Sequence, residues 1–346
     1  MIKEAIQKLV EGHSLSVAQA AQVMDEIMEG QVTPAQFGAF VTALRMKGET
    51  VDEIAGLART MRAKAVRVNV DGPVVDTCGT GGDGASTFNI STAAAFVTAG
   101  AGMKVAKHGN RAMSSKCGSA DVLEALGVNI NLNAGQVEKC LEEIGIGFIY
   151  APSFHPSMKF AAGPRREIGF RTVFNILGPL TNPAGAKAQV IGVPSEKLGQ
   201  KIARALEILG TNHALVVHGT DGIDEISITG YSRIWEIGNA TVVDYFISPD
   251  DFGFVKSSLQ EIAGGTAEDN ARMLRAVLSG EKGPRRDVTI MNAAAAIMAA
   301  YEIPNGNETG GVKQIVGCAR IAGETIDSGR ALKKLEQLIE MTQSFN

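Results

Sequence analysis

The run Val74-Val75-Asp76-Thr77-Cys78-Gly79-Thr80-Gly81-Gly82-Asp83-Gly84 decides the fold. Its first half is short, apolar and β-branched, and reads as a buried strand. Its second half is a glycine-rich turn, and an alanine-rich helix is predicted from about Ser91. In such a βα unit, backbone N–H groups approach an anion closely and the positive end of the helix faces it. Gly79, Gly81 and Gly84 also match G-x-G-x-x-G literally. A dinucleotide site would need an acidic residue about 20 positions further on to hold a ribose. Gly84 to Ala120 contains no Asp or Glu, so that reading fails. A Walker A loop fails too, because no Gly-Lys-Ser/Thr follows. A plain tight turn is the competing reading of the same glycines.

On the C-terminal side, Lys104–Ala106, Gly147–Tyr150, Ala188–Val193 and Ala214–His218 are further short apolar strands separated by helical patterns. Helices are predicted over Ala267–Leu278, Asn292–Ala300 and Ser328–Thr342. Strand–helix alternation of this kind implies a mostly parallel sheet covered by helices. On the N-terminal side the pattern is purely helical. Ser16/Gln19, Thr33/Gln36 and Thr50/Glu53 each fit a capping box, and Pro34 sits where its missing N–H costs nothing. Phe37, Phe40, Val41 and Leu44, then Ile54, Leu57 and Met61, recur at helical spacing. The fold class is therefore α/β: a helical bundle over residues 1–70 and an α/β domain over 71–346. The proline-bearing stretch Pro152–Pro183 crosses between them, with about 165–185 contributing to the bundle.

Charge is distributed unevenly. The acid-free window carries Lys104, Lys107, Arg111 and Lys116, a local +4 in a chain whose net charge is −4. Lysines, glycine amides and the hydroxyls of Thr87, Ser91, Thr92, Ser114, Ser115 and Ser119 make a phosphate site. Asp221-Gly-Ile-Asp224-Glu225 follows the strand ending at His218. Adjacent carboxylates there suit hydrated Mg²⁺, which takes one or two protein carboxylates plus phosphate oxygens. Together these features point to a magnesium–polyphosphate substrate.

Composition narrows the class further. A chain of 346 residues has room for about two domains. Its 40 glycines, about 12%, exceed the average of about 7% without any collagen-like period. Aromatic residues are 5% and the net charge is negative, which argues against nucleic acid as a partner. Cysteines 78, 117, 140 and 318 form no C-x-x-C pair, so neither zinc nor a disulfide scaffold is expected. The charged N-terminus lacks a signal-peptide core, and the apolar run Asn292–Tyr301 is about half a membrane span. A cytoplasmic protein without membrane contact is expected.

Several motifs together resemble the anthranilate phosphoribosyltransferase family. They are the loop Gly79–Asp83, Asn89-x-Ser91-Thr92, Lys107-His-Gly-Asn-Arg111, Cys117-Gly-Ser-Ala-Asp121 and Asp224-Glu225. His155-Pro-Ser-Met-Lys159, Pro164-Arg-Arg-Glu, Arg171-Thr-Val-Phe-Asn175 and Leu177-Gly-Pro-Leu complete the resemblance, in order along the whole chain. It implies a nucleoside phosphorylase/phosphoribosyltransferase-like fold, a homodimer, and transfer of phosphoribose from 5-phosphoribosyl 1-pyrophosphate (PRPP) to the amine of anthranilate in tryptophan biosynthesis. By the family pattern, PRPP would meet Gly79, Gly82, Asp83, Thr87, Asn89, Ile90, Ser91, Thr92, Lys107, His108, Gly109, Asn110, Arg111, Ala112, Met113, Ser114, Ser115 and Ser119. Anthranilate would meet Gly79, Asn110 and Arg165, and Mg²⁺, two ions per subunit, would be held by Ser91, Asp224 and Glu225.

Lys107 then acts electrostatically and Arg165 positions the anthranilate carboxylate. His108 is open between proton acceptor, donor and packing residue, and no general base is assigned. The enzymatic alternative is a pyrimidine nucleoside phosphorylase, against which the acidic pair weighs. A non-catalytic nucleic-acid-binding relative is the other alternative, and it calls for a basic face.

Overall fold

Hydroxyl caps set the starts of three of the four N-terminal helices as the sequence predicts. In the computed structural model, which describes residues 1–112, 116–238, 241–301 and 310–345, α1 spans Ile2–Val10 and α2 spans Val17–Met28. They are followed by α3 (Pro34–Lys47) and α4 (Val51–Lys64). Ser16, Thr33 and Thr50 each accept from the backbone N–H of the N3 residue, and Gln19, Gln36 and Glu53 reciprocate. Glu53 is fully buried and also accepts from Lys47 Nζ at 2.9 Å and from Leu15 N at 2.9 Å, so one carboxylate ties α4 to the end of α3 and to the loop that leads into α2.

The α/β part opens with β1 (Val75–Gly79), α5 (Ile90–Gly100), β2 (Val105–Gly109), α6 (Ser119–Ala125), α7 (Ala134–Glu143) and β3 (Ile146–Tyr150). The crossing stretch folds as three short helices, α8 (Ala151–Phe154), α9 (Lys159–Ile168) and α10 (Phe174–Leu177). Then come β4 (Ala188–Gly192), α11 (Glu196–Ile208), β5 (His213–Gly219), β6 (Ser232–Gly238) and β7 (Thr241–Ile247). Helices α12 (Ala267–Leu278), α13 (Pro284–Ala300), α14 (Gly311–Asp327) and α15 (Arg330–Gln343) finish the chain.

The strands form one sheet in the order β3-β2-β1-β4-β5-β6-β7, parallel through β5, with β6 and β7 added antiparallel. The β6–β7 hairpin and α14 are absent from the sequence reading, and α13 begins at Pro284 instead of Asn292. Charged residues interrupt the apolar pattern in both places: Arg233 and Glu236 in β6, Arg285, Arg286 and Asp287 in the first turn of α13.

Alternating residues divide the core between the two faces of the sheet. Ile191, Ala214, Val216, Trp235 and Ile237 face α11 and the bundle, together with Ala161, Val173, Phe174 and Leu177 of the crossing stretch. Val190, Leu215, Val217 and Ile234 face the other way, into the layer of α5, α13, α14 and α15. The alanine run of α13 is buried there, and among the described residues no helix is long and apolar enough to cross a membrane.

The strand order reverses direction beside β1, because the chain winds outward through β2 and β3 and returns on β1's other edge as β4. Open α/β sheets bind ligands at such a switch point, beyond the carboxyl ends of the strands. Those ends are Gly79, Gly109, Gly192 and Gly219.

Candidate active site

Gly79 and Gly192 lie opposite each other in the β1–β4 register, and Asp224 packs over both. A Cβ on Gly79 would run into the Asp224 carboxylate, and one on Gly192 into its backbone carbonyl. The sequence reading selects Gly79 and misses Gly192, because the pairing that makes it necessary is set by sheet register. From this position Asp224 Oδ2 accepts from Gly81 N at 2.7 Å. Glu225 Oε1 accepts from Ser91 N at 3.2 Å, in the first turn of α5. The acidic pair thus reaches back across the sheet to the glycine loop and the helix that follows it.

The outer side of the loop is pinned by the chain before α12. Phe88 N donates to Ile262 O at 3.0 Å, Gly264 N donates to Ser86 O at 2.8 Å, and Thr87 bridges Ala263. Ser86 has φ +51°, a left-handed conformation rare outside glycine, at the bend where the loop turns toward α5. Asn89 caps α5 without a side-chain bond to the helix; its Oδ1 accepts from Asn270 Nδ2 at 2.8 Å and its Nδ2 donates to Cys117 O at 3.3 Å. In the first turn of α5 the amides of Ile90 and Thr92 go to Phe88 O and Asn89 O, and that of Ser91 goes to Glu225, so the turn offers a ligand the positive end of the helix dipole. Ile90 and Thr92 are buried behind this turn, and the Thr92 hydroxyl has no partner among the described residues.

Lys107 enters from β2. Its side chain is buried, and Nζ donates to Thr77 O at 2.5 Å and to Ser91 Oγ at 3.4 Å. Burial lowers its pKa, while Asp76 and Glu225 act to restore it. Asp76 is buried under the same strands, accepts from His108 N at 3.1 Å and Asn182 Nδ2 at 2.8 Å, and is pushed up to about 6 by burial. The His108 ring turns to His155, with centroids 5.2 Å apart. Burial lowers both, His108 to about 3 and His155 to about 4, so both are neutral near pH 7. Backbone groups of Gly178 and Thr181 face the two rings and act weakly against that lowering.

The β2–α6 connection is only partly basic in space. Arg111 pairs with Asp121 at 3.2 Å and with Glu124, just beyond the acid-free window, and stands 5.8 Å over the Tyr150 ring. Ala112 N donates to Asp121 Oδ2 at 2.9 Å. Ser119 Oγ donates to Asn110 O at 3.3 Å and occupies the space a side chain at Gly109 would take. Asn110 Oδ1 accepts from Arg111 N at 2.7 Å. Met113, Ser114 and Ser115 lie outside the described residues.

Arg165 sits on α9, half-buried, with its guanidinium 5.4 Å over the Phe174 ring. Burial lowers its pKa, and no ion pair involves it among the described residues. A desolvated, unpaired arginine is a strong receptor for a carboxylate.

Burial first, and then the nearby carboxylate of Asp83, push Asp224 up to about 7; burial and Asp224 push Glu225 well above its ordinary value. Crowded carboxylates that resist ionisation fit a cation site. No group of three or more His, Cys, Asp or Glu among the described residues could hold a metal alone. Two carboxylates and the Ser91 hydroxyl instead suit a hydrated hard cation whose shell is completed by substrate oxygens.

Residues 3–65 match the glycosyl transferase family, helical bundle domain, and residues 71–332 match the glycosyl transferase family, a/b domain. The chain is 60% identical to anthranilate phosphoribosyltransferase of Dehalococcoides mccartyi over 347 residues, covering 100% of this chain and 99% of that one. The crystal structure of anthranilate phosphoribosyltransferase from Thermus thermophilus superposes with a TM-score of 0.90 at 42% identity, over 98% of this chain and 99% of that chain. The Saccharomyces cerevisiae enzyme in complex with PRPP and Mg superposes with a TM-score of 0.88 at 29% identity, over 99% of this chain and 98% of that chain. Two matched domains and near-complete coverage at this identity place the chain in the anthranilate phosphoribosyltransferase family.

Proposed function

We propose that the chain transfers the phosphoribosyl group of PRPP to the amine of anthranilate, giving N-(5-phosphoribosyl)anthranilate and pyrophosphate. The observation that carries this reading is the joining of Asp224 and Glu225 to Gly81 and to the first turn of α5. Phosphate donors and cation ligands thereby converge on one switch point. The relatives favour this reading over a nucleoside phosphorylase.

The reaction breaks the bond from ribose C1 to the pyrophosphate oxygen and forms one from C1 to the anthranilate nitrogen, which then loses a proton. Magnesium held by Asp224, Glu225 and Ser91 supplies charge neutralisation for the departing pyrophosphate. The α5 amides and Lys107 add fixed positive potential on the same side, in a site where it needs no reorganisation. Arg165 and Asn110 hold anthranilate, with Gly79 beside them by family pattern alone. The aromatic amine is already neutral near pH 7, so alignment with C1 does more than deprotonation. His108, lowered to about 3, is a weak base, and the general base stays unassigned.

The remaining PRPP contacts are proposed at Gly82, Asp83, Thr87, Asn89, Ile90, Thr92, His108, Gly109, Arg111, Ala112 and Ser119, with Met113 to Ser115 by family pattern alone. Two magnesium ions per subunit, a cytoplasmic homodimer and a bundle unit of residues 1–70 with 165–185 belong to the same reading. The joint packing of Ala161, Val173, Phe174 and Leu177 with the bundle helices supports that unit. Mixing the protein with Mg²⁺, PRPP and anthranilate should deplete anthranilate fluorescence. No depletion, with phosphate-dependent cleavage of thymidine instead, overturns the assignment.

A further inference from the structure

Between α9 and α10 the chain carries a second arginine, Arg171, that the sequence reading gives no role. Its Nη2 donates to Thr80 O at 2.9 Å and to Gly81 O at 2.8 Å. One nitrogen bridging two successive carbonyls fixes the arc of the glycine loop. Asp224 Oδ2 holds the opposite side of that arc through Gly81 N at 2.7 Å. Gly82, at φ +82°, lies flat against the guanidinium, and a Cβ there would run into it. The carboxylates of Asp224 and Asp83 attract the Arg171 charge, while burial and Arg45 of α3 oppose it.

The backbone behind Arg171 belongs to the opposite side of the site. Helix α9 ends at Gly169 in a left-handed cap, and Thr172 N donates to Asn175 Oδ1 at 2.9 Å at the start of α10. Val173, Phe174 and Leu177 are then buried in the bundle-side core. The same segment carries Arg165, whose guanidinium rests on Phe174. The Arg171 side chain is thus a strut from the arginine-bearing segment to the glycine loop.

We infer that Arg171 is a positioning residue that couples the two substrate sites: it locks the glycine loop to the segment bearing Arg165, so that ordering one site orders the other. This rests on the PRPP–anthranilate reading above. The full-length protein is tested by steady-state kinetics over a grid of both substrates, with melting temperatures recorded. Arg171→Ala should raise KM for both PRPP and anthranilate about tenfold. Arg171→Lys keeps the charge but loses the reach and the planar guanidinium that packs against Gly82, so it should show the same direction of change at an unaltered melting temperature. Millimolar guanidinium added to the Ala variant should recover part of the lost activity. Wild-type KM values in both variants overturn the inference, as does a Lys variant equal to wild type beside an Ala variant that guanidinium does not rescue. An inactive wild type overturns the functional reading and this inference with it; an active wild type with unaffected variants overturns the inference alone.

Discussion

Asp224 concentrates the conflict in the site, because one carboxylate accepts from Gly81 N, fills the space above Gly79 and stands close to Asp83 and Glu225. Its pKa is raised, from 3.8 to about 7, so the folded protein holds a proton that the unfolded chain releases. Stability contributed by this group is therefore present at low pH and lost as pH rises from about 4 to about 7. Asp224→Asn keeps the acceptor for Gly81 and removes the charge. It should stabilise the ligand-free protein by about 1–3 kcal/mol at pH 8, with the gain shrinking toward zero by about pH 4. Denaturant melts of both proteins at the two pH values check this; an equal effect at both would remove the electrostatic cause. Arg165 is the second residue with a separable role. Arg165→Ala should raise KM for anthranilate about tenfold or more, and that for PRPP far less. Equal rises would mean that Arg165 supports the fold of the site and does not contact anthranilate.

At the scale of elements, the paired ends of β1 and β4 are what let the acidic pair approach the glycine loop. Gly192→Ala would push the Asp224 backbone off the sheet edge, since a Cβ there meets its carbonyl. Loss of about 1–3 kcal/mol in stability and about a hundredfold fall in turnover are expected, measured by thermal melts and initial rates. Wild-type turnover in that variant would show that the close approach is incidental. The β1 strand, its glycine turn, α5 and the three capping boxes are legible in the sequence because each depends on residues a few positions apart. The contacts of Gly192 with Asp224, of Arg171 with the glycine loop and of Glu225 with the Ser91 amide are not legible locally, because strand register and chain winding bring them together from far along the chain; only the family resemblance groups Ser91 with Glu225. The β6–β7 hairpin escapes for a different reason. Glu236, fully buried in β6, is satisfied by His213 Nε2 and Tyr245 Oη at 3.0 Å and by the amides of Gly310 and Gly311 at 2.8 and 3.1 Å. A charge that tertiary bonds make tolerable reads locally as an interruption.

For the whole molecule, the sheet divides the labour. The layer of α5, α13, α14 and α15 buttresses the phosphate side, whereas the crossing stretch carries Arg165 and Arg171 on the bundle side. The net charge of −4 conceals this arrangement. So does the +4 window, in which Lys107 is engaged by Thr77 and Arg111 by Asp121 and Glu124. Beside the fixed charge of Lys107, a polyphosphate is left the glycine loop, the positive end of α5 and a cation on Asp224 and Glu225. The direct measurement is turnover against Mg²⁺ concentration for Asp224→Asn combined with Glu225→Gln. Turnover should fall about a hundredfold or more, with a higher Mg²⁺ requirement for what remains, if the acidic pair holds the cation. Wild-type turnover with an unchanged Mg²⁺ dependence would contradict it.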